Sequence, residues 1–164
     1  MSLKTDPDSL GFLLNETSRL VRCNFERRIA GLGLQVTPGE ARALIYVAAN
    51  EGARQSVIAE RMGVEPMTVC GYLDRLERNG LVSRHPDPAD RRAKNVRATD
   101  AAEATISAIR AEGKAIVDLA QAGLDPESRA VLSTALRAVR DNLAGMLDEA
   151  RDQRPLAAVS GGKA

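Results

Sequence analysis

The chain has 164 residues, enough for one domain with its own core, and its 23 Lys and Arg against 22 Asp and Glu leave a formal charge of only +1. A polyanionic partner must therefore be met by cations gathered locally, and an aromatic content of 2%, with no Trp, argues against stacking on single-stranded bases. The start, "MSLKTDPDSLG", lacks the basic head and apolar run of a signal peptide, and no apolar stretch approaches the ~20 residues that span a bilayer; the expected location is the cytoplasm, with no membrane partner.

Leu10, Leu14, Val21, Phe25 and Ile29 recur at helical spacing between Asp8 and about Ala30, with Arg19, Arg22, Arg27 and Arg28 between them. This predicts a long first helix closed by the glycines of "GLG". In "TPGE", Thr37 suits an N-cap, Pro38 the first helical position, and Glu40 can reach back to the cap's amide. A second helix follows to about Asn50, burying Leu44, Ile45 and Ala48. "SVIAERM" is a short helix stopped at Gly63, and "EPMTVCGYLDRLERNG" is the next, with Val69, Leu73 and Leu76 on its inner face and Gly80 as a left-handed stop. Two short helices joined by a glycine-containing turn outline a helix-turn-helix.

"LVSR" and "NVRAT" are short runs of strand character, and "HPDPADRRAK" joins them as a proline-bracketed loop. A helix-turn-helix followed at once by such a hairpin is a winged helix. A further helix begins at Thr99 or Asp100 and carries Ile106, Ile109, Ile116 and Val117 on one face. "LDPES" offers an Asp cap and an early Pro to a last helix whose Leu132, Leu136, Val139, Leu143 and Leu147 form a near-heptad stripe that requires a partner helix. The expected fold class is mainly α: a winged helix-turn-helix with a small β-hairpin wing, its long N- and C-terminal helices forming a dimerisation region. The expected layout of the single domain, 1–164, assigns 8–36 and 100–150 to dimerisation helices, 37–99 to the winged lobe and 151–164 to a flexible tail.

Cys23 and Cys70 lie far apart without CxxC spacing, so neither a disulfide framework nor a zinc site is indicated, and both read as reduced thiols. One His, and no HExxH, GxSxG, Walker loop or glycine-rich nucleotide fingerprint, leave no assembled nucleophile, base and oxyanion donors. Catalytic residues, metal ligands and cofactors are accordingly not expected.

The run "LVSRHPDPADRRAKNVRATDA", preceded by "EPMTVCGYLDRLERNG", resembles the MarR family of winged-helix transcriptional regulators. That family's wing pattern is close to D-x-x-D-R-R followed by a strand and a Thr, matched here by Asp87, Asp90, Arg91, Arg92, Val96 and Thr99. The resemblance in helix order and length extends from about Leu10 to Leu147. It implies a homodimer on double-stranded DNA, with one recognition helix per subunit in successive major grooves and each wing tip at a neighbouring minor groove. Charge agrees independently. Arg84, Arg91, Arg92, Lys94 and Arg97 face only Asp87 and Asp90 between Arg84 and Arg97, a local net of +3.

The residues expected at DNA are Pro66, Met67, Thr68, Cys70, Gly71 and Arg75 on the recognition helix and Arg84, Asp90, Arg91, Arg92 and Lys94 in the wing. Thr68 can hydrogen-bond a base or phosphate, Met67 can touch a thymine methyl, Arg75 is placed for a phosphate, and Asp90 can orient a guanidinium and brace the loop. Many family members carry an arginine or other polar group near Gly71 and a hydroxyl near Cys70; the departure here shifts specificity toward the wing and DNA shape. The resemblance also implies repression relieved by a small anionic or aromatic ligand, such as an aromatic acid or its CoA thioester, between the dimer helices and the winged lobe. Asn15, Arg19, Arg22 and Tyr46 are the expected contacts. Two alternatives stand beside this. Redox sensing through Cys23 or Cys70 is one, although Leu13, not Cys23, stands near the position of the family's sensor cysteine. A helical module that binds protein is the other, and it has no need of adjacent Arg91 and Arg92.

Overall fold

Residue spacing and capping place six helices and one hairpin along the chain, and the computed structural model describes them over residues 6–90 and 92–152, without side chains beyond Glu149. Helix α1 spans Leu10–Gly31, α2 Pro38–Ala49, α3 Gln55–Met62 and α4 Pro66–Arg78. Strands β1 (Val82–Pro86) and β2 (Lys94–Ala98) follow, then a 3-10 turn at Asp100–Ala102, α5 (Glu103–Ala120) and α6 (Pro126–Asp152). The strands pair antiparallel with Val82 opposite Ala98 and Pro86 opposite Lys94. The expected tail at 151–164 lies outside the described residues from 153 onward, and α6 continues through Asp152.

The local signals in the sequence account for most of these boundaries. Thr37 Oγ1 accepts the Glu40 amide at 3.3 Å while the Glu40 carboxylate accepts the Thr37 amide at 2.9 Å, so the capping box of α2 is closed on both sides. Gly63 ends α3 at φ +64° and Gly80 follows α4 at φ +71°, a conformation that costs a side chain but not a glycine. Pro66 opens α4, where a missing amide proton is no loss. Asp125 Oδ1 accepts the Ser128 amide at 2.7 Å and caps α6.

The chain divides into two compact units, one ending at Ala120 and the other beginning at Gln121. In the first, α2 is the hub: it packs on α1, α3, α4, α5 and β2. Its Ala41, Ala43, Leu44 and Val47 are buried against Ile58 of α3, Val69, Leu73 and Leu76 of α4, Val96 of β2 and Ile109 of α5. Leu44 is buried as expected, whereas Ile45 and Ala48 are only half-buried, because the helix's inner face centres between Leu44 and Val47. The expected stripe of α1 is largely uncovered. Ile29 is its buried member, with Phe25 and Leu14 half-buried and Leu10 and Val21 exposed. On α5, Ile106, Ile109 and Ile116 are buried but Val117 points outward, 45% exposed.

In the second unit α6 carries Leu132, Leu136, Leu143 and Leu147 exposed along one stripe, with Val139 half-buried among them.

The core makes two stability tests direct. Leu73→Ala removes a fully buried side chain and lowers the unfolding free energy by about 2–5 kcal/mol. Thr37→Ala, which removes one bond of the α2 cap, lowers it by ~1 kcal/mol. Urea unfolding followed by circular dichroism checks the order of the two.

Candidate nucleic-acid interface

Helix α4 divides cleanly into two faces. Val69, Leu73 and Leu76 are buried, while Pro66, Met67 and Thr68 are exposed and Cys70 and Gly71 half-exposed on the opposite side. The N-terminal turn of a recognition helix is the part that meets base edges, and here that turn is bare. Its angle to the lobe is set by the Arg75 guanidinium, which donates from Nε to the Glu40 carboxylate of α2, and by Tyr72, whose ring lies 2.6 Å from where a Cβ on Gly39 would sit. Burial pushes the Glu40 carboxyl up, but the Thr37 amide and Arg75 outweigh it and hold the group below the usual range. Arg75 also stacks 5.7 Å from the Tyr72 ring centroid, so this arginine is engaged on two sides while remaining half-exposed. The phosphate contact expected of Arg75 therefore has to be made by the outer edge of a guanidinium already anchored to α2.

The wing is braced by a residue that the sequence alone did not single out. Arg54, the residue before α3, donates from Nε to Asp87 Oδ2 at 2.8 Å. Asp87 Oδ1 in turn accepts the amides of Ala89 and Asp90 at 2.8 and 3.1 Å, and the Asp87 amide donates to Ala93 O at 3.0 Å. Asp87 is only 8% exposed. The Arg54 guanidinium foremost, then the Ala89 and Asp90 amides against some desolvation, hold its carboxyl down at about 2. The backbone adds a second tie. Gly52 N donates to Val96 O and Val96 N to Ala53 O, and an isolated bridge joins Arg54 to Asn95, so residues 52–54 act as a short third strand along β2.

The cations expected at DNA fall into two groups. Arg84 is not presented to solvent: its side chain is 12% exposed and is gripped by Glu77 at 2.5 Å and Asp74 at 2.7 Å. Arg84 is thereby a brace between β1 and α4, with its charge already answered. Arg92 and Lys94 are exposed. Arg91 lies outside the described residues. Asp90 Oδ1 accepts the Arg92 amide at 3.0 Å and its other oxygen stands 4.0 Å from Arg54 Nη1, so Asp90 does orient the loop, while the larger share of the bracing expected of it falls to Asp87.

A cavity of about 660 Å³ opens in the first unit between α1, α2, α3 and α5. Val21, Phe25, Ile45, Ile109 and Ile116 form apolar walls, and Arg22, Arg42, Arg61, Arg110 and Tyr46 supply polar groups. Arg42 Nη2 donates to the carbonyl of Met62, the last residue of α3, at 3.2 Å. Of the four ligand contacts expected, Arg22 and Tyr46 line this cavity and Asn15 and Arg19 do not. Arg19 instead holds Glu16 through two bonds of 2.8 and 2.5 Å, and the pair lies on the exposed surface. Cys23 is exposed, with Arg19 Nη1 4.0 Å from its sulfur, and Cys70 is half-buried beside Arg84, Arg92 and Lys94. Among the described residues no cluster of His, Cys, Asp and Glu could hold a metal ion.

Residues 33–93, which cover the end of the α1–α2 loop, α2, the helix-turn-helix and most of the wing, match the sequence profile described as "MarR family". The chain is 26% identical over 110 residues to the uncharacterised HTH-type transcriptional regulator YybA of Bacillus subtilis (strain 168), a match covering 67% of this chain and 73% of that protein. Among solved structures, the crystal structure of MarR is similar with a TM-score of 0.75 at 25% identity, covering 89% of this chain and 99% of the other. The crystal structure of the transcriptional regulator PA3341 is 33% identical with a TM-score of 0.67, covering 84% and 99%.

The Arg54–Asp87 brace has a defined pH window. The folded pKa of Asp87, about 2, lies below the ~3.9 of an unperturbed Asp. Its stabilisation is therefore full above the unfolded value and is lost as pH falls through the folded one. Hydrogen exchange at the Ala89 and Asp90 amides, corrected for intrinsic rates, should stay protected from neutral pH to about 4 and lose protection toward 2. In Asp87→Asn that protection should be reduced throughout.

Proposed function

Because the chain belongs to the MarR family of DNA-binding transcriptional regulators, we propose that it acts as a homodimeric repressor, released from a pseudo-palindromic operator by a small anionic or aromatic ligand. The family's members are regulators and not enzymes. The observation that carries the reading is the bare first turn of α4 standing beside a braced wing whose Arg92 and Lys94 form no salt bridge among the described residues. In this reading Pro66, Met67, Thr68, Cys70 and Gly71 meet the major groove. Arg91, Arg92 and Lys94 meet the minor groove or its phosphates, and Asp87, Asp90 and Arg84 hold the loop in place.

Support for the dimer comes from α6, whose leucine stripe is exposed within its own unit, and from the uncovered apolar residues Leu10, Leu13 and Leu20 of α1. Two recognition helices on one face of B-DNA have to stand ~34–36 Å apart, so the helices outside residues 37–99 set the spacing on which binding depends. No helix among the described residues is long and apolar enough to cross a membrane, and the proposed site of action is the cytoplasm, beside the DNA.

Support for a ligand comes from the cavity, whose size suits a small molecule and whose apolar walls and arginines suit an aromatic carboxylate. Arg42 links that cavity to the reading head. A carboxylate that draws the guanidinium away from the Met62 carbonyl removes a bond at the end of α3, one residue before the Gly63 turn into α4. Release follows only if the ligand favours the altered spacing; one that binds both spacings equally shifts nothing.

Selection from a random duplex library by the purified protein tests the reading, with an inverted repeat of half-sites ~10 bp apart as the expected product. On that operator, Arg92→Ala and Lys94→Ala should each lower the slope of log K against log salt by about 0.9 for every phosphate left without its cation. Unchanged affinity and slope in the double variant would favour a protein partner for the wing. With benzoate as the probe, Arg22→Ala should weaken ligand binding by about ten-fold or more while leaving DNA affinity alone, since a bond to a charged group contributes ~1.5–3 kcal/mol.

A further inference from the structure

Met67 is 81% exposed, more than any other large apolar residue among those described, and it stands in the first turn of α4. A long apolar side chain in that position gains nothing from the fold, since the buried face of the helix is made by Val69, Leu73 and Leu76. The charged side chains two to three turns further along α4 already have partners within the fold. Asp74 is paired with Arg84, Arg75 is held by Glu40, and Arg78 donates from Nε to the Asp74 carbonyl at 3.3 Å. Thr68 is the remaining hydrogen-bonding side chain in the exposed first turn. One helical turn on from Met67, Gly71 has no atom within 4 Å of where a Cβ would lie, so the backbone there can approach another surface closely.

In the major groove, thymine offers one apolar projection, its 5-methyl group, whereas guanine recognition calls for paired donors such as an arginine fork. The exposed first turn of α4 has no such fork and does have a flexible thioether chain. We infer that Met67 is a specificity-determining residue that reads the 5-methyl of a thymine at one position of each half-site. The inference rests on the DNA-binding role proposed above. It also carries a chemical corollary: 5-methylcytosine bears the same methyl at the same place, so C5 methylation of a cytosine at that position is read as well.

The test uses the full-length protein and its selected operator. Each thymine of a half-site is replaced in turn by deoxyuridine, which deletes the methyl and keeps every hydrogen-bonding group. Binding by the wild type should weaken about four-fold at one position of a half-site, the value of one buried methyl, and about sixteen-fold when both half-sites are changed. Met67→Ala should bind the thymine and uracil operators equally, and Met67→Leu should retain most of the discrimination. At the same position, cytosine should regain affinity when it is 5-methylated. Because Met67 lies outside the core, equal melting curves for Met67→Ala and the wild type are expected. Indifference to uracil at every position, or a uracil penalty that persists in Met67→Ala, would overturn the inference while leaving DNA binding intact. Enrichment of no duplex at all would overturn both the inference and the regulator reading beneath it.

Discussion

A single buried carboxylate, Glu40, ties the hub helix α2 to α4. It closes the capping box at the start of α2 with one oxygen and holds the Arg75 guanidinium of α4 with the other. At 3% exposure such a group is costly unless every oxygen is answered, and both are. Because α2 packs on four helices and β2, whatever fixes α4 to α2 fixes it to the whole first unit. Tyr72 lying against Gly39 closes the same joint from the other side, and a side chain at Gly39 would have to displace the end of the Tyr72 ring.

The wing is tied to the helix-turn-helix in a comparable way, through charge and backbone together. Arg54 is both the N-cap residue of α3 and the partner of Asp87, and its backbone pairs with Asn95 of β2. On the opposite side, Arg84 fastens β1 to α4 through Asp74 and Glu77. The Arg84 bond foremost, and its charge, hold the Glu77 carboxyl below its usual range. The arginines divide by task. Arg54, Arg75 and Arg84 serve internal geometry, which leaves Arg92, Lys94 and Arg97 as the wing's exposed cations among the described residues.

Features that depend on a few adjacent residues were legible in the sequence: the capping box of "TPGE", the glycine stops at Gly63 and Gly80, the Pro66 start, the antiparallel hairpin, and the three inward residues of α4. What depends on meeting a distant residue was not. Nothing in "RHPDPADRRAK" says that Asp87 will find Arg54, thirty-three positions earlier, or that Arg84 will be enclosed by acids of the preceding helix. Residues 52–54 escaped notice because three residues containing a glycine carry no strand periodicity. The cavity was half legible. Arg22 and Tyr46 line it, but Asn15, on nearly the same face of α1 as Arg22, lies seven residues and about 10 Å along the axis from it. Arg19 is turned aside and occupied by Glu16. Helical phase was readable there; the length over which a neighbour covers the helix was not.

The two-faced character of α4 bears on how a protein of this kind can change over generations. Its packing is vested in Val69, Leu73 and Leu76, and its anchorage in Arg75 and Tyr72. The outward positions of its first turn, Pro66 apart, carry neither duty. Mutations at Met67 and Thr68 therefore escape the stability threshold that purges most substitutions; under the proposed DNA-reading role of that turn, the set of genes under control could be redrawn by drift and selection on two or three codons while the scaffold stays under constant constraint.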